Sequence, residues 1–164
     1  MKAEQPSTQD LECIQRQLGR TPRGVNAIAH RCPCGKPDVV ETVPRLEDGT
    51  PFPTLYYATC PKLTGEISTL ESSGLMARMN IELEGDPELA DQYRQAHVHY
   101  LADRAALGVF VPEIDGISAG GMPSRVKCLH VLVAHSLAAG PGVNPLGDQA
   151  LAHLRQWWKG RACE

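Results

Sequence analysis

The sequence predicts an α+β fold in which a small antiparallel β portion packs against a mainly helical C-terminal part. Residues 25–60 contain short β-branched and aromatic segments separated by turn residues. Residues 61–160 instead show helical periodicity and recognisable helix ends. A chain of 164 residues with 42% hydrophobic residues is long enough to bury one core, so we expect a single domain over residues 1–164.

The N-terminal elements are predicted to be one short helix followed by two to four strands. Ser7 and Asp10 have the spacing of a helix-capping pair, and apolar residues recur on one helical face up to Leu18. The strands are expected in three segments, VNAIAHRC, PDVVETV and TLYYATC. Prolines between and within these segments keep the strands short.

The remaining elements are predicted to be helices. The first two are expected in CPKLTGEISTLESSG and LMARMNIELEG, and a longer one begins with Asp86 as cap and Pro87 at its first position. SRVKCLHVLVAHSLAAG is apolar on nearly every side and is predicted to be the most buried helix. DQALAHLRQWWKG is expected to form the last helix and to dock through leucines and a tryptophan.

The charge and the apolar runs restrict the partners. A formal net charge of −3 gives no general attraction to nucleic acid or to anionic lipid. The start MKAEQPSTQD has no apolar stretch, and the longest apolar run, CLHVLVAHSLAA, is too short to span a bilayer. We therefore expect a cytoplasmic protein without a membrane partner.

The six cysteines are the first candidate functional group, because cytoplasmic thiols stay reduced and serve as ligands, nucleophiles or buried fillers. The turn AHRCPCGKP presents Cys32 and Cys34 on one side of a loop whose amides can bond to sulfur. Cys60 lies where a strand ends and a helix begins, and Cys128 lies in the buried helix. We predict that these four thiols bind one metal centre, with Cys13 and Cys163 as bystanders.

The identity of the metal is left open between zinc and an iron–sulfur cluster, with zinc favoured. Zinc suits the CPCG turn, and His30 or His130 would supply the fourth ligand if Cys128 faced elsewhere. A cluster suits the dispersed single cysteines and the prolines that follow Cys32 and Cys60. Buried apolar packing of Cys60 and Cys128 is the alternative without a metal.

Four protein ligands would indicate a metal-stabilised binding or adaptor protein, whereas an enzyme remains the alternative. An open metal position holding a water, with Glu113 or Asp115 nearby, would indicate hydrolysis. Cys60 at a helix start, with His30 or His135 as base, would indicate thiol chemistry on an acyl or phosphorylated substrate. The sequence does not decide between these alternatives.

The second candidate group is the glycine loop SAGGMPSRVK. A glycine pair before a helix leaves amide groups free to bind an anion, and nearby basic residues add positive charge. The residues expected to contact a small anionic or phosphorylated ligand are Ser118, Gly120, Gly121, Arg125 and Lys127. An ordinary turn with solvated basic residues is the competing interpretation.

Two long motifs and a final dipeptide make the chain resemble a family of small actinobacterial proteins classed as a domain of unknown function. They are the segment from AHRCPCGKPDVVETV to LYYATCP, the segment ISAGGMPSRVKCLHVLVAHSLAAGPGVNPLGD, and the final WW. The resemblance implies no activity and no catalytic residues. It does imply a frequent genomic setting beside a septum-formation initiator and an exopolyphosphatase, and hence a role in cell division or phosphate metabolism, with a protein partner as one option.

Overall fold

A computed structural model describes residues 3–161 and 163 of the chain. Within those residues it contains three strands, β1 (Val25–Arg31), β2 (Pro37–Thr42) and β3 (Tyr56–Ala58). The helices are α1 (Thr8–Leu18), α2 (Pro61–Glu71), α3 (Leu75–Gly85), α4 (Pro87–Ala105), α5 (Leu129–Ala139) and α6 (Pro145–His153). The predicted α+β class and its antiparallel β portion are confirmed.

The sheet lies between α1 on one face and the other helices on the opposite face. β2 is the central strand and pairs antiparallel with β1 and with β3. Because successive side chains of a strand point to opposite faces, Val39 joins the main core while Val40 packs with Ile14 and Ile28 beneath α1. The pairing of β1 with β2 brings the turn that contains Cys32 to one end of this sheet.

α5 is the central helix of the main core, as its apolar sequence predicts. It packs against β3, α2 and α6, and every side chain from Leu129 to Ser136 is buried except that of His130, which is half-buried. The prediction that this helix starts near Ser124 was wrong. The backbone N–H of Val126 donates to Asn80 Oδ1 at 2.8 Å and that of Lys127 donates to the Gly120 carbonyl at 2.8 Å, so tertiary bonds hold this segment out of the helix.

The helix ends follow ordinary capping chemistry. At α1 the Ser7 and Asp10 side chains form the predicted reciprocal capping box. α6 begins at Pro145 with Asn144 as cap, three positions before the predicted start at Asp148. None of the helices in the described part of the chain is long and apolar enough to cross a membrane.

Candidate metal centre

Three thiols from distant parts of the chain meet at the turn between β1 and β2. The sulfur atoms of Cys32, Cys34 and Cys163 all lie within 4.8 Å of one another. Cys32 Sγ and Cys163 Sγ are 3.3 Å apart although 131 positions separate them in sequence. Cys32 and Cys163 are buried, Cys34 is exposed, and all three are free thiols.

The turn itself directs backbone amides at the sulfur atoms. The Cys32 N–H donates to the Lys36 carbonyl at 2.9 Å, and the Gly35 N–H donates to the Cys32 carbonyl at 2.8 Å. Gly35 has φ +86°, a conformation that glycine adopts without strain. In this geometry the amide of Cys34 bonds to the Cys32 thiol and the amide of Lys36 bonds to the Cys34 thiol. Such bonds favour thiolates, which are the form that binds metals.

Two side chains fix the segment that carries Cys163. Gln17 Nε2, from α1, donates to the carbonyl of Cys163 at 2.6 Å and to the carbonyl of Pro37 at 2.8 Å. Lys62 Nζ, from α2, donates to the carbonyls of Lys159 and Arg161. Cys163 is therefore held against the turn by bonds that are independent of its sulfur.

Cys60 lies beside this triplet. It is the N-cap residue of α2, and its sulfur accepts the backbone N–H of Leu63 at 3.5 Å. The Cys60 thiol also interacts with the Cys163 thiol, and the residue is fully buried. Cys60 is thus the next sulfur within reach of a cation held by the three others.

Crowding of the thiols changes their acidity. Burial raises the pKa of Cys32. For Cys163, burial and then the neighbouring Cys60 and Cys32 thiols raise the pKa strongly. Burial also acts to raise the pKa of Cys34, but hydrogen bonds from the Lys36 and Cys163 amides and from the two neighbouring thiols together outweigh this effect and lower the pKa overall. A divalent cation would replace these protons and remove the repulsion between thiolates, so the donor set suits a metal.

The structure brings together a different set of cysteines from the set that the sequence predicted. Cys32 and Cys34 lie in the cluster and Cys60 lies at its edge, whereas Cys128 lies in a separate group with Glu71 and His130. Cys163, expected to be a bystander, belongs to the cluster. A contact between residues so far apart in sequence leaves no local sequence signal. The presence of further cysteines in the chain was the one feature that could have suggested it.

The groups suggested as base or carboxylate for an enzyme have other partners. His30 Nδ1 lies 2.7 Å from Asp38 Oδ1, which makes an ion pair when the imidazole is protonated. Glu113, exposed on a short 3-10 turn, accepts from Arg45 at 2.7 Å. Neither residue belongs to a group of potential ligands among the described residues.

His135 is a neutral side chain in the main core. Gly147 N–H donates to Asn144 Oδ1 at 3.0 Å, which leaves the Asn144 amide nitrogen to donate to His135 Nδ1 at 3.2 Å. The His135 proton is therefore on Nε2, which faces His99 Nδ1 at 3.3 Å. Burial, and then the nearby His99, lower the pKa of His135 to about 3. Because Nε2 carries a proton, this arrangement is not that of a metal ligand, although Asp103 lies nearby.

The second half of the glycine loop uses backbone amides in internal hydrogen bonds. The N–H groups of Arg125 and Lys127 donate to the carbonyls of Gly121 and Gly120 at 3.1 and 2.8 Å. Ser118 is buried, and its Oγ lies 2.8 Å from His97 Nδ1. These bonds occupy the amides of Arg125 and Lys127 and the carbonyls of the two glycines, whereas the anion-site prediction depended on the amides of the glycines themselves. Arg125 and Lys127 remain exposed, and anion binding by this loop stays a prediction.

A family model described as "Protein of unknown function (DUF501)" matches residues 28–152. The matched stretch contains Cys32, Cys34, Cys60 and Cys128, whereas Cys163 lies beyond it. Comparison with the curated proteins and with the solved structures gave no match.

Proposed function

The chain belongs to the DUF501 family of proteins of unknown function, and from the arrangement of its cysteines we propose that it is a metal-stabilised binding or adaptor protein. In this proposal Cys32, Cys34, Cys60 and Cys163 hold one metal ion. The ion ties together the β1–β2 turn, the start of α2 and the C-terminal segment. Cys163 replaces Cys128 in the ligand set that the sequence predicted.

The observation that carries the proposal is the meeting of three sulfur atoms within 4.8 Å. The Cys32–Cys163 separation of 3.3 Å is well beyond the length of about 2.05 Å of a disulfide bond. Two buried thiols and an exposed one at such distances are costly when the buried ones ionise, unless a cation compensates the charge. Amides aimed at two of the sulfurs support the ionised, metal-binding form.

Zinc is the ion that we favour, with an iron–sulfur cluster as the alternative. Four thiolates are a common tetrahedral set for structural zinc, and a set without an open position supports folding rather than hydrolysis. This is why the centre supports a binding or adaptor role ahead of metal-assisted catalysis. A cluster also accepts four thiolates, so the ligand set alone does not separate the two.

Metal analysis of protein purified under reducing, oxygen-free conditions tests the proposal. We expect a colourless protein with one zinc per chain, whereas a brown protein would identify a cluster. Cobalt substitution adds a readout, since thiolate-to-cobalt bands report the number of sulfur ligands. Cys32→Ser, Cys34→Ser, Cys60→Ser and Cys163→Ser should each weaken these bands.

Two matched variants and one chemical assay complete the test. Cys13→Ser and Cys128→Ser change cysteines outside the proposed set and should leave metal content and cobalt bands unchanged. Peptide mapping without reductant would detect a disulfide between Cys32 and Cys163. A folded protein that binds no metal, or that contains this disulfide after purification under reducing conditions, contradicts the proposal.

A further inference from the structure

Cys128 starts α5 beside an imidazole and a carboxylate. It is the N-cap residue of the helix, and its thiol forms a group with His130 and Glu71 whose potential ligand atoms all lie within 4.8 Å of one another. Glu71 Oε1, at the end of α2, lies 3.1 Å from His130 Nδ1 and accepts the backbone N–H of Leu129 at 2.8 Å. The carboxylate thus fixes both the imidazole and the first turn of α5.

The surroundings of Cys128 favour a thiolate next to an imidazolium. Burial and, to a smaller extent, the Glu71 carboxylate act to raise the pKa of Cys128, but the bond to the His130 side chain and the amides of Val131 and His130 together outweigh them and lower the pKa overall. The same contact with Cys128 raises the pKa of His130 to about 9, with burial opposing and Glu71 adding to the rise. A thiolate at a helix N-terminus is also stabilised by the helix dipole.

Cys128 and His130 both line a cleft of about 470 Å³. Tyr56 and Tyr57 contribute aromatic surface to its wall, and no lysine, arginine, aspartate or glutamate is among the described residues that line it. A mainly apolar cleft without lysine or arginine suits an uncharged electrophile better than a phosphate, which those side chains usually bind.

Two further residues of the cleft wall carry polar atoms without a partner. Gln17 Oε1 and Thr59 Oγ1 are buried and make no hydrogen bond within the described part of the chain. Gln17 is 9% exposed and Thr59 is 2% exposed, and both line the cleft. Because buried polar atoms are nearly always satisfied, these two offer hydrogen-bonding capacity to a polar group bound in the cleft.

We propose that Cys128 is a nucleophile for acyl transfer, with His130 as its acid–base partner and Glu71 as a positioning residue. The substrate class is an uncharged acyl ester or thioester whose apolar part lies against the tyrosines. This site is separate from the four-cysteine centre and does not depend on the function proposed above.

The reaction needs no oxidant or cofactor. The Cys128 sulfur attacks the carbonyl carbon of R–CO–X, the C–X bond breaks, and His130 gives its ring proton to the leaving group X. Water then attacks the resulting thioester, and the neutral His130 takes a proton from it. The C–S bond breaks to restore the thiolate, and the products are R–COOH and HX.

The same three side chains could instead hold a metal ion, and the geometry favours the thiol reaction. Glu71 Oε1 is already used by the Leu129 amide and faces His130 Nδ1, which is the arrangement of a carboxylate that orients an imidazole. Binding of a second zinc ion that Cys128→Ser abolishes would support the metal and overturn the thiol proposal.

Acylation of the full-length, metal-loaded protein by p-nitrophenyl butyrate tests the proposal. We expect a burst of nitrophenolate and one butyryl group, located on Cys128 by peptide mapping. At pH 7 the rate should exceed that of N-acetylcysteine by about tenfold or more, because an ordinary thiol is only slightly ionised there. Cys128→Ser should abolish the burst, and Cys13→Ser should leave it unchanged.

Variants of the two partners separate catalysis from packing. His130→Gln should slow acylation by about 100-fold and move the pH midpoint of the rate upward. Glu71→Gln should shift the same profile less, with circular dichroism confirming the fold of each variant. The proposal is wrong if the butyryl group is located on another cysteine, or if Cys128 reacts no faster than N-acetylcysteine. Because mapping identifies the modified residue, failure of the metal centre would not be mistaken for failure of this site.

Discussion

The two cysteine sites differ in what surrounds the sulfur, and their acidities differ accordingly. In the cluster, Cys32 and Cys163 are buried among other thiols, and burial raises the pKa of both. At the start of α5, half-buried Cys128 has an imidazole and helix amides beside it, and its pKa is lowered. Burial acts to raise the pKa at all three residues, so the neighbouring groups decide the outcome. A buried thiol among other thiols needs an added cation to be stable as a thiolate. A thiol beside a protonated imidazole already has a cation next to it.

The largest expected effect is the loss of stability when the cluster loses a ligand. Cys32→Ser should lower the free energy of unfolding by more than about 4 kcal/mol, the range expected when a metal site is lost. Cys128→Ser should change it by less than about 1 kcal/mol, since no metal is lost. Urea unfolding of the metal-loaded proteins measures both. Equal effects would remove the distinction between a structural and a reactive thiol.

Gly147→Ala should disturb the Cys128 site and leave the cluster intact. A Cβ at this position of α6 would overlap the Leu132 carbonyl and Ser136 Oγ of α5. We expect a loss of about 3 kcal/mol in the free energy of unfolding and slower acylation of Cys128, with an unchanged zinc content. The matched variant is Gly65→Ala, in α2, where a Cβ has no neighbour within 4 Å. This control should be neutral or stabilising.

His135→Gln should flatten the acid side of the stability curve. The native pKa of His135 is about 3, against an ordinary value of 6.5, so the unfolded chain binds more protons between these values. This group therefore stabilises the fold fully above about pH 6.5, and its contribution falls by about 2 kcal/mol between pH 6.5 and pH 5. Denaturant unfolding across this range measures the slope. The exposed His153→Gln variant should keep the slope of the parent protein.

Gln17→Leu should have the smallest effect on stability, and it should act mainly by weakening metal binding. The variant leaves the carbonyls of Cys163 and Pro37 without their amide donor. We expect a loss of about 1 kcal/mol in stability and about tenfold weaker zinc binding, measured by competition with a chelator. Gln15→Leu, on the exposed side of α1, is the control. An unchanged zinc affinity would mean that the position of Cys163 does not depend on this tether.

The local elements followed from the sequence because their causes are local. The β-branched residues of the segment that became β2 and the reciprocal pair Ser7 and Asp10 act within a few residues of themselves. The start of α5 was mispredicted because Asn80, far away in sequence, takes the backbone N–H of Val126. The start of α6 was missed although Asn144 and Pro145 carried an ordinary cap signal.

The candidate site was predicted only in part for the same reason. Cys32 and Cys34 are neighbours on one turn, so their proximity is a consequence of local geometry. Whether Cys128 or Cys163 joins them depends on the packing of α5 and of the C-terminal segment, which no spacing rule describes. The pairing of Cys128 with His130 was within reach of the sequence, since they are two positions apart, but the contribution of Glu71 from α2 was not.

Thr59, Cys60 and Pro61 join the two sites through adjacent peptide bonds. Cys60 contacts the sulfur cluster, whereas its two neighbours line the cleft that contains Cys128. The Thr59 N–H is anchored to the Asp38 carbonyl at 2.9 Å, which leaves this short segment little freedom to adjust. Whatever repositions Cys60 therefore reshapes the cleft wall. The two binding events are then coupled. If the ion in the cluster changes the affinity of the cleft for a molecule by some factor, the molecule changes the affinity of the cluster for the ion by the same factor.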